Sequence, residues 1–130
     1  MTRILGGLKP EKAFYFFEEI SRIPRGSGNE QVISDYLVGF AKERGLEVKR
    51  DAALNVVIKK PATFGYEKRP NVILQGHMDM VCVKEPGIEH DFLRDPIELV
   101  IDGELLRANG TSLGADNGNA LALCLAILDN

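Results

Sequence analysis

Ala13, Phe16, Phe17 and Ile20 recur at the i, i+3, i+4, i+7 spacing that sets apolar side chains on one face of a helix. Pro10 stands at its start, where a missing N–H costs nothing, and Pro24 ends it. Ser27, Gly28, Asn29 and Glu30 then spell a capping box, in which serine and glutamate side chains satisfy orphan N–H groups reciprocally. Ile33, Tyr36, Leu37 and Phe40 form the apolar stripe of this second helix. Lys42 and Arg44 suit the negative end of its dipole, and Gly45 supplies a left-handed stop.

From there the period becomes two. Leu46 and Val48 alternate with Glu47 and Lys49, residues 55–59 predict a second strand, and residues 61–70 form a loop around Gly65. Val72, Ile73 and Leu74 make a short continuous apolar run, as expected of a strand covered on both faces. Residues 97–101 and 104–107 flank Asp102-Gly103, the strongest hairpin signal in the chain. Beyond Gly110 and Gly114, residues 117–128 predict a helix apolar enough to be buried on most of its surface. Helices on either side of a mixed set of strands predict an α/β layered sheet. The remaining elements cover only one side of the last helix, so the chain is expected to be the front portion of a larger domain with its sheet incomplete.

Composition narrows the partners. With 45% hydrophobic and 27% charged residues the chain is globular rather than disordered. Sixteen basic against nineteen acidic residues, and no long basic run, argue against a nucleic-acid partner. The longest apolar run, residues 120–128, falls short of the roughly 20 residues that span a bilayer, so no membrane is expected. Arg3 is followed by only a short apolar stretch before Lys9, Pro10 and Glu11, which does not make a secretory signal. Two cysteines are too few for a secreted disulfide framework. Cys82, between Val81 and Val83, and Cys124, between Leu123 and Leu125, are expected to be buried small hydrophobes, and the location cytoplasmic.

Two stretches carry candidate chemistry. In Val72-Ile73-Leu74-Gln75-Gly76-His77-Met78-Asp79-Met80-Val81, an apolar strand ends at Gly76 and a His-x-Asp pair follows. In open α/β sheets the ligand crevice lies beyond the carboxyl ends of the strands. Alternation sends His77 and Asp79 to one side and turns Met78 and Met80 toward the core. Neutral imidazole ligates zinc well, and a carboxylate on the other ring nitrogen fixes tautomer and orientation. A histidine hydrogen-bonded to an aspartate for turn structure alone fits the same short motif. The second stretch, Gly110-Thr111-Ser112-Leu113-Gly114-Ala115-Asp116-Asn117-Gly118, spaces three glycines by four residues and sets Asp116 where a helix begins. A carboxylate there has two oxygens with which to bridge metal ions about 3.5–4 Å apart, although on this motif alone helix N-capping is the better account of an aspartate at this position.

Taken together, Leu74-Gln75-Gly76-His77-Met78-Asp79-Met80-Val81, His90-Asp91-Phe92 with Asp95-Pro96-Ile97, and Gly114-Ala115-Asp116-Asn117-Gly118 resemble the aminoacyl-histidine dipeptidases. These are also called Xaa-His dipeptidases or cytosolic non-specific dipeptidases (the PepD group), in the M20 family of zinc metallopeptidases. Ile20-Ser21-Arg22-Ile23-Pro24-Arg25, with Ser27, Gly28 and Glu30, extends the resemblance, which runs from about Leu8 to Asn130. It implies a zinc-exopeptidase-like α/β fold, of which residues 1–130 are the N-terminal portion of the catalytic domain. It also implies a site for two zinc ions, other divalent metals being admissible. His77 would ligate one ion, Asp79 would act in catalysis by orienting His77, and Asp116 would bridge both. The peptide bond after Asp116 would be cis. The implied reaction is hydrolysis of short peptides, Xaa-His of the β-alanyl-histidine type foremost, by metal-activated water; the resemblance admits a homodimer for the full-length enzyme, whose oligomeric state the sequence leaves open.

The family's general-base glutamate, its remaining aspartate and histidine ligands and its lid domain lie further along than Asn130. A catalytic zinc takes three protein ligands, so these 130 residues are expected to bind zinc weakly and to be inactive alone. The family carries an apolar then a small residue after Asn-Gly, whereas Asn119-Ala120 stand here. Other groups read as structural. His90-Asp91 is expected in a solvated loop, Glu18-Glu19 on the solvent face of the first helix, and Arg25 exposed in a loop. Ser112 lacks the flanks of a nucleophile elbow. A non-catalytic truncated product, or a small binding domain that offers its open sheet edge to a partner, is the alternative for the chain.

Overall fold

A computed structural model describes residues 2–130, with three helices and four short strands. Helix α1, Glu11–Ser21, follows Pro10 at its N-cap and ends three residues before Pro24. It buries Phe16, Phe17 and Ile20, the face that the spacing predicts. Helix α2, Gln31–Glu43, buries Ile33, Leu37 and Phe40, with Gly45 left-handed just beyond it. The expected capping box is only half formed. Glu30 Oε1 accepts the Gly28 N–H at 2.6 Å, but the Ser27 hydroxyl is engaged elsewhere and no side chain caps α2.

Strands β1, Glu47–Arg50, and β2, Val56–Lys59, pair antiparallel with Val48 opposite Ile58, and lie against α2. The buried Ser34 of α2 ties down their connection by donating to the Leu54 carbonyl at 2.9 Å. Strands β3, Leu99–Asp102, and β4, Leu105–Ala108, form the predicted hairpin, with Gly103 in the left-handed region at the first turn position. The α/β expectation is thus borne out as helices with two small antiparallel sheets. One strand is not. Residues 72–74 belong to neither ladder and their side chains face solvent, Ile73 being 87% exposed, because no described strand lies beside them.

Helix α3, Ala115–Leu128, packs chiefly on α1 through Gly118, Ala122 and Leu125. Its partners in the core are Leu5, Phe16, Phe17, Ile20, Ile33, Leu37, Phe40 and Leu99. Burial on most of its surface is not what α3 shows, since Leu123 and Ile127 point outward with nothing described to cover them. Glu18 also departs from expectation. It is 4% exposed rather than on a solvent face, because the segment before α1 folds back over the helix. Its Oε1 accepts the Leu5 N–H at 2.7 Å and its Oε2 accepts from Arg22 at 2.9 Å. Cys82 and Cys124 are half-buried free thiols, each pushed above the ordinary thiol value by desolvation. Among the described residues no helix is long and apolar enough to cross a membrane.

Candidate metal centre

The site is built where the segment ending in Met80 meets the entry to α3. Met80 is buried and bridged to Gly26, with its N–H donating to the Arg25 carbonyl at 3.0 Å and its own carbonyl accepting the Ser27 N–H at 3.1 Å. Met78 packs against the core on the same side. Alternation then turns His77 and Asp79 outward together, as their spacing predicts. His77 Nδ1 lies 3.0 Å from Asp79 Oδ1, and Nε2 lies 3.0 Å from Asp116 Oδ1. The two ring nitrogens therefore meet two different carboxylates, although 39 residues separate His77 from Asp116.

Each group is tuned by its neighbours. Desolvation pulls the His77 imidazolium down, but hydrogen bonds to Asp116 and Asp79 outweigh it and hold the ring above the ordinary histidine value. Asp79 is held below the usual carboxylate range, first by the Ser27 hydroxyl, which donates to Oδ2 at 2.6 Å, and then by the His77 ring. Asp116 does not cap the helix. Gly114, left-handed at φ +77°, holds the N-cap, while Asp116 has φ −95° and ψ 99° and is followed by a cis bond to Asn117. Its side chain is 95% exposed, with Oδ1 on the His77 ring. Gly76 packs closely here, since a Cβ would lie 3.1 Å from the Asn117 amide and 3.3 Å from Ala120. The small residue at 120 thus seats the end of the apolar run against α3.

Arg25 is the main correction. It is 1% exposed, not a loop arginine in solvent. Its Nη1 donates to the Met78 carbonyl at 3.1 Å and its Nη2 to the Gly114 carbonyl at 2.9 Å, so it lies beneath both halves of the site. Ser27 is the second residue that sequence reasoning missed. The Ile-Pro-Arg-x-Ser block was the available signal for both, together with the glycine spacing that makes room for the guanidinium. His90 and Asp91 do not form a dyad. Asp91 holds the Leu93 N–H and the Arg94 side chain, while the half-buried His90 ring packs edge-on against Phe92. The Ser112 hydroxyl donates to the Val81 carbonyl at 2.6 Å, a structural role.

The donor chemistry fits a divalent cation. Imidazole nitrogen and carboxylate oxygen suit zinc, and also manganese or cobalt. Ligands at bonds of about 2.0–2.2 Å in a tetrahedron stand roughly 3.3–3.5 Å apart, so the 3.0 Å pair needs only a slight opening to share an ion. The donor count is smaller than a complete site requires. Among the described residues no group of three or more His, Cys, Asp or Glu side chains is placed to hold a metal ion.

Comparison with known proteins places the relatives of this chain among the peptidases. No family model matches it. The chain is 48% identical to the cytosol non-specific dipeptidase of Escherichia coli (strain K12) over 124 residues, covering 95% of this chain and 26% of that protein. Its fold superimposes on the aminoacylhistidine dipeptidase of Vibrio alginolyticus with a TM-score of 0.95 at 46% identity, covering 98% of this chain and 26% of that one. A tripeptidase from Staphylococcus aureus matches with a TM-score of 0.73 at 26% identity, over 95% of this chain and 32% of that one. The resemblance to the aminoacyl-histidine dipeptidases is therefore borne out along nearly the whole chain, in sequence and in fold. The chain spans about a quarter of the length of the dipeptidases it matches.

Proposed function

We propose that these residues are the N-terminal portion of the catalytic domain of a dizinc dipeptidase, and that they supply two of its metal ligands. The observation that carries this reading is the contact between His77 Nε2 and Asp116 Oδ1 at 3.0 Å, with Asp79 on the opposite ring nitrogen. His77 binds through Nε2. Asp79 accepts the Nδ1 proton, which fixes the tautomer and keeps Nε2 free to ligate. Asp116 offers two exposed oxygens, enough to be shared between two ions. His77 and Asp116 would hold zinc, which would supply the Lewis acidity for activating water near neutral pH and for polarising the scissile carbonyl. The substrate is a short peptide, Xaa-His foremost, a preference supported by the likeness to the aminoacylhistidine dipeptidase of Vibrio alginolyticus. The general base and the remaining ligands come from outside these residues. The complete protein acts in the cytosol, with neither nucleic acid nor membrane as partner.

Two experiments test this. In the first, these residues replace the matching quarter of the Escherichia coli relative, and hydrolysis of β-alanyl-histidine is followed. The chimera is expected to be active, and His77→Ala or Asp116→Ala to abolish activity with the fold retained. An alanine variant as active as the parent chimera refutes the ligand assignment. In the second, the 130-residue chain alone is expected to bind zinc weakly and to hydrolyse nothing. Tight binding of two ions, or zinc-dependent release of histidine, refutes the account of what the chain lacks.

A further inference from the structure

We infer that Arg25 is the positioning residue of the metal pair, holding His77 and Asp116 at the separation a shared ion requires; the inference rests on the metal-site reading above. His77 and Asp116 stand on two segments that meet again further on, where the Lys84–Thr111 bridge and Ser112 join residues 81–85 to residues 110–112. The Arg25 guanidinium links the same segments next to the donors themselves, since one nitrogen of its fork reaches the Met78 carbonyl at 3.1 Å and the other the Gly114 carbonyl at 2.9 Å. Met78 is flanked by His77 and Asp79, and Gly114 is the N-cap two residues before Asp116. A rigid planar fork fixes the distance between two acceptors in a way that a flexible point charge does not.

The space around the guanidinium is made for it. A Cβ at Gly114 would lie 2.6 Å from Arg25 Nη2, and one at Gly118 would lie 2.7 Å from the same atom. Two glycines a helical turn apart thus clear room for one buried cation. The cation is costly to keep there. Desolvation lowers its pKa against the opposing pull of the Asp79 charge, and among the described residues it makes no ion pair and its Nε has no partner. A buried charge that spans two carbonyls, each within two residues of a metal donor, sets geometry. The backbone of the same segment adds to this, with the Arg25 carbonyl on the Met80 N–H and the Ser27 hydroxyl on Asp79.

The test uses the two histidines of the chain, His77 and His90, the second serving as internal control. Long-range proton–nitrogen NMR of the imidazoles is recorded for wild type, Arg25→Met and Arg25→Lys, and each is titrated with zinc chloride. Circular dichroism and the amide spectrum report folding. In folded Arg25→Met the Nε2 resonance of His77 is expected to move toward that of a ring free of Asp116 while His90 stays fixed. Zinc affinity at His77 is expected to fall about 10–100-fold, the usual cost of losing an outer-shell partner. Arg25→Lys, which keeps the charge but not the fork, is expected to fall between the two and to serve where Arg25→Met does not fold. Unchanged His77 resonances and zinc affinity in either folded variant overturn the inference. Should His77 respond to Arg25 substitution while zinc perturbs neither wild type nor variant, the positioning role stands and the metal reading fails.

Discussion

Ser27→Ala isolates one contact of the site. The Ser27 hydroxyl donates to Asp79 Oδ2 at 2.6 Å, while the Ser27 backbone is held separately by its N–H on the Met80 carbonyl. The substitution therefore removes a donor and leaves the chain path in place. A hydrogen bond to a charged acceptor contributes about 1.5–3 kcal/mol when protected from solvent. The Asp79 side chain is 34% exposed, and water replaces part of that. About 1 kcal/mol is expected at neutral pH once solvent screening is allowed for. The sign follows from linkage. Asp79 titrates below its ordinary value in the folded chain, so its contribution is present above the unfolded value of about 3.9 and is lost as pH falls through the folded one. In Ser27→Ala the carboxyl titrates at higher pH, so the stability gap from wild type is full at pH 7 and closes as both carboxyls protonate in acid. Urea unfolding across a pH series measures the gap, and carbon NMR of the Asp79 carboxyl follows the titration directly. Equal destabilisation in acid and at neutrality, or an Asp79 titration unmoved by the substitution, refutes the reasoning.

Three further outcomes follow from burial and bonding. Glu18→Ala strands the Leu5 N–H and is expected to cost about 2–3 kcal/mol, whereas Glu19→Ala, which breaks only half-exposed ion pairs with Arg3 and Arg22, costs less than about 1 kcal/mol; equal urea midpoints would contradict this. Tyr36 is pushed up to about 12, mainly by burial. Its contribution is intact below the unfolded value of about 10 and is lost as pH rises through the folded one. Ultraviolet titration is expected to show a late ionisation that Tyr36→Phe removes, and a Tyr36→Phe curve identical to wild type contradicts it. Leu125→Ala, in the α1–α3 core, is expected to cost about 2–5 kcal/mol, and Leu123→Ala, on the outward face, within about 0.5 kcal/mol; similar losses in the two variants would mean that the two faces are misassigned.

Periodicity made the helices and the hairpin legible because those elements are fixed by contacts close in sequence. The site was legible in part for the same reason. His77 and Asp79 share a face by alternation alone, and their approach to Asp116 came from the resemblance of two motifs, not from any local rule. Arg25, Ser27 and Glu18 were misread together. Each was judged by what its residue type does in isolation, and each is decided by a partner 13 to 89 residues away, namely Leu5 for Glu18, Asp79 for Ser27, and Met78 and Gly114 for Arg25.

The run at residues 72–74 failed differently. An apolar pattern states what a segment must bury and says nothing of which strand will lie beside it, so the side chains can stand exposed without the pattern being wrong. His77 follows directly on from that exposed run, and yet its position does not depend on a sheet forming there. The Gly26–Met80 bridge, the Arg25 fork and the Ser27 hydroxyl hold residues 77–80 from the other side. The His77–Asp116 geometry is therefore anchored to α1 and α3, through the segment between α1 and α2. Substitutions in residues 72–74 are expected to leave the His77–Asp116 contact intact, while those in residues 25–27 disturb it.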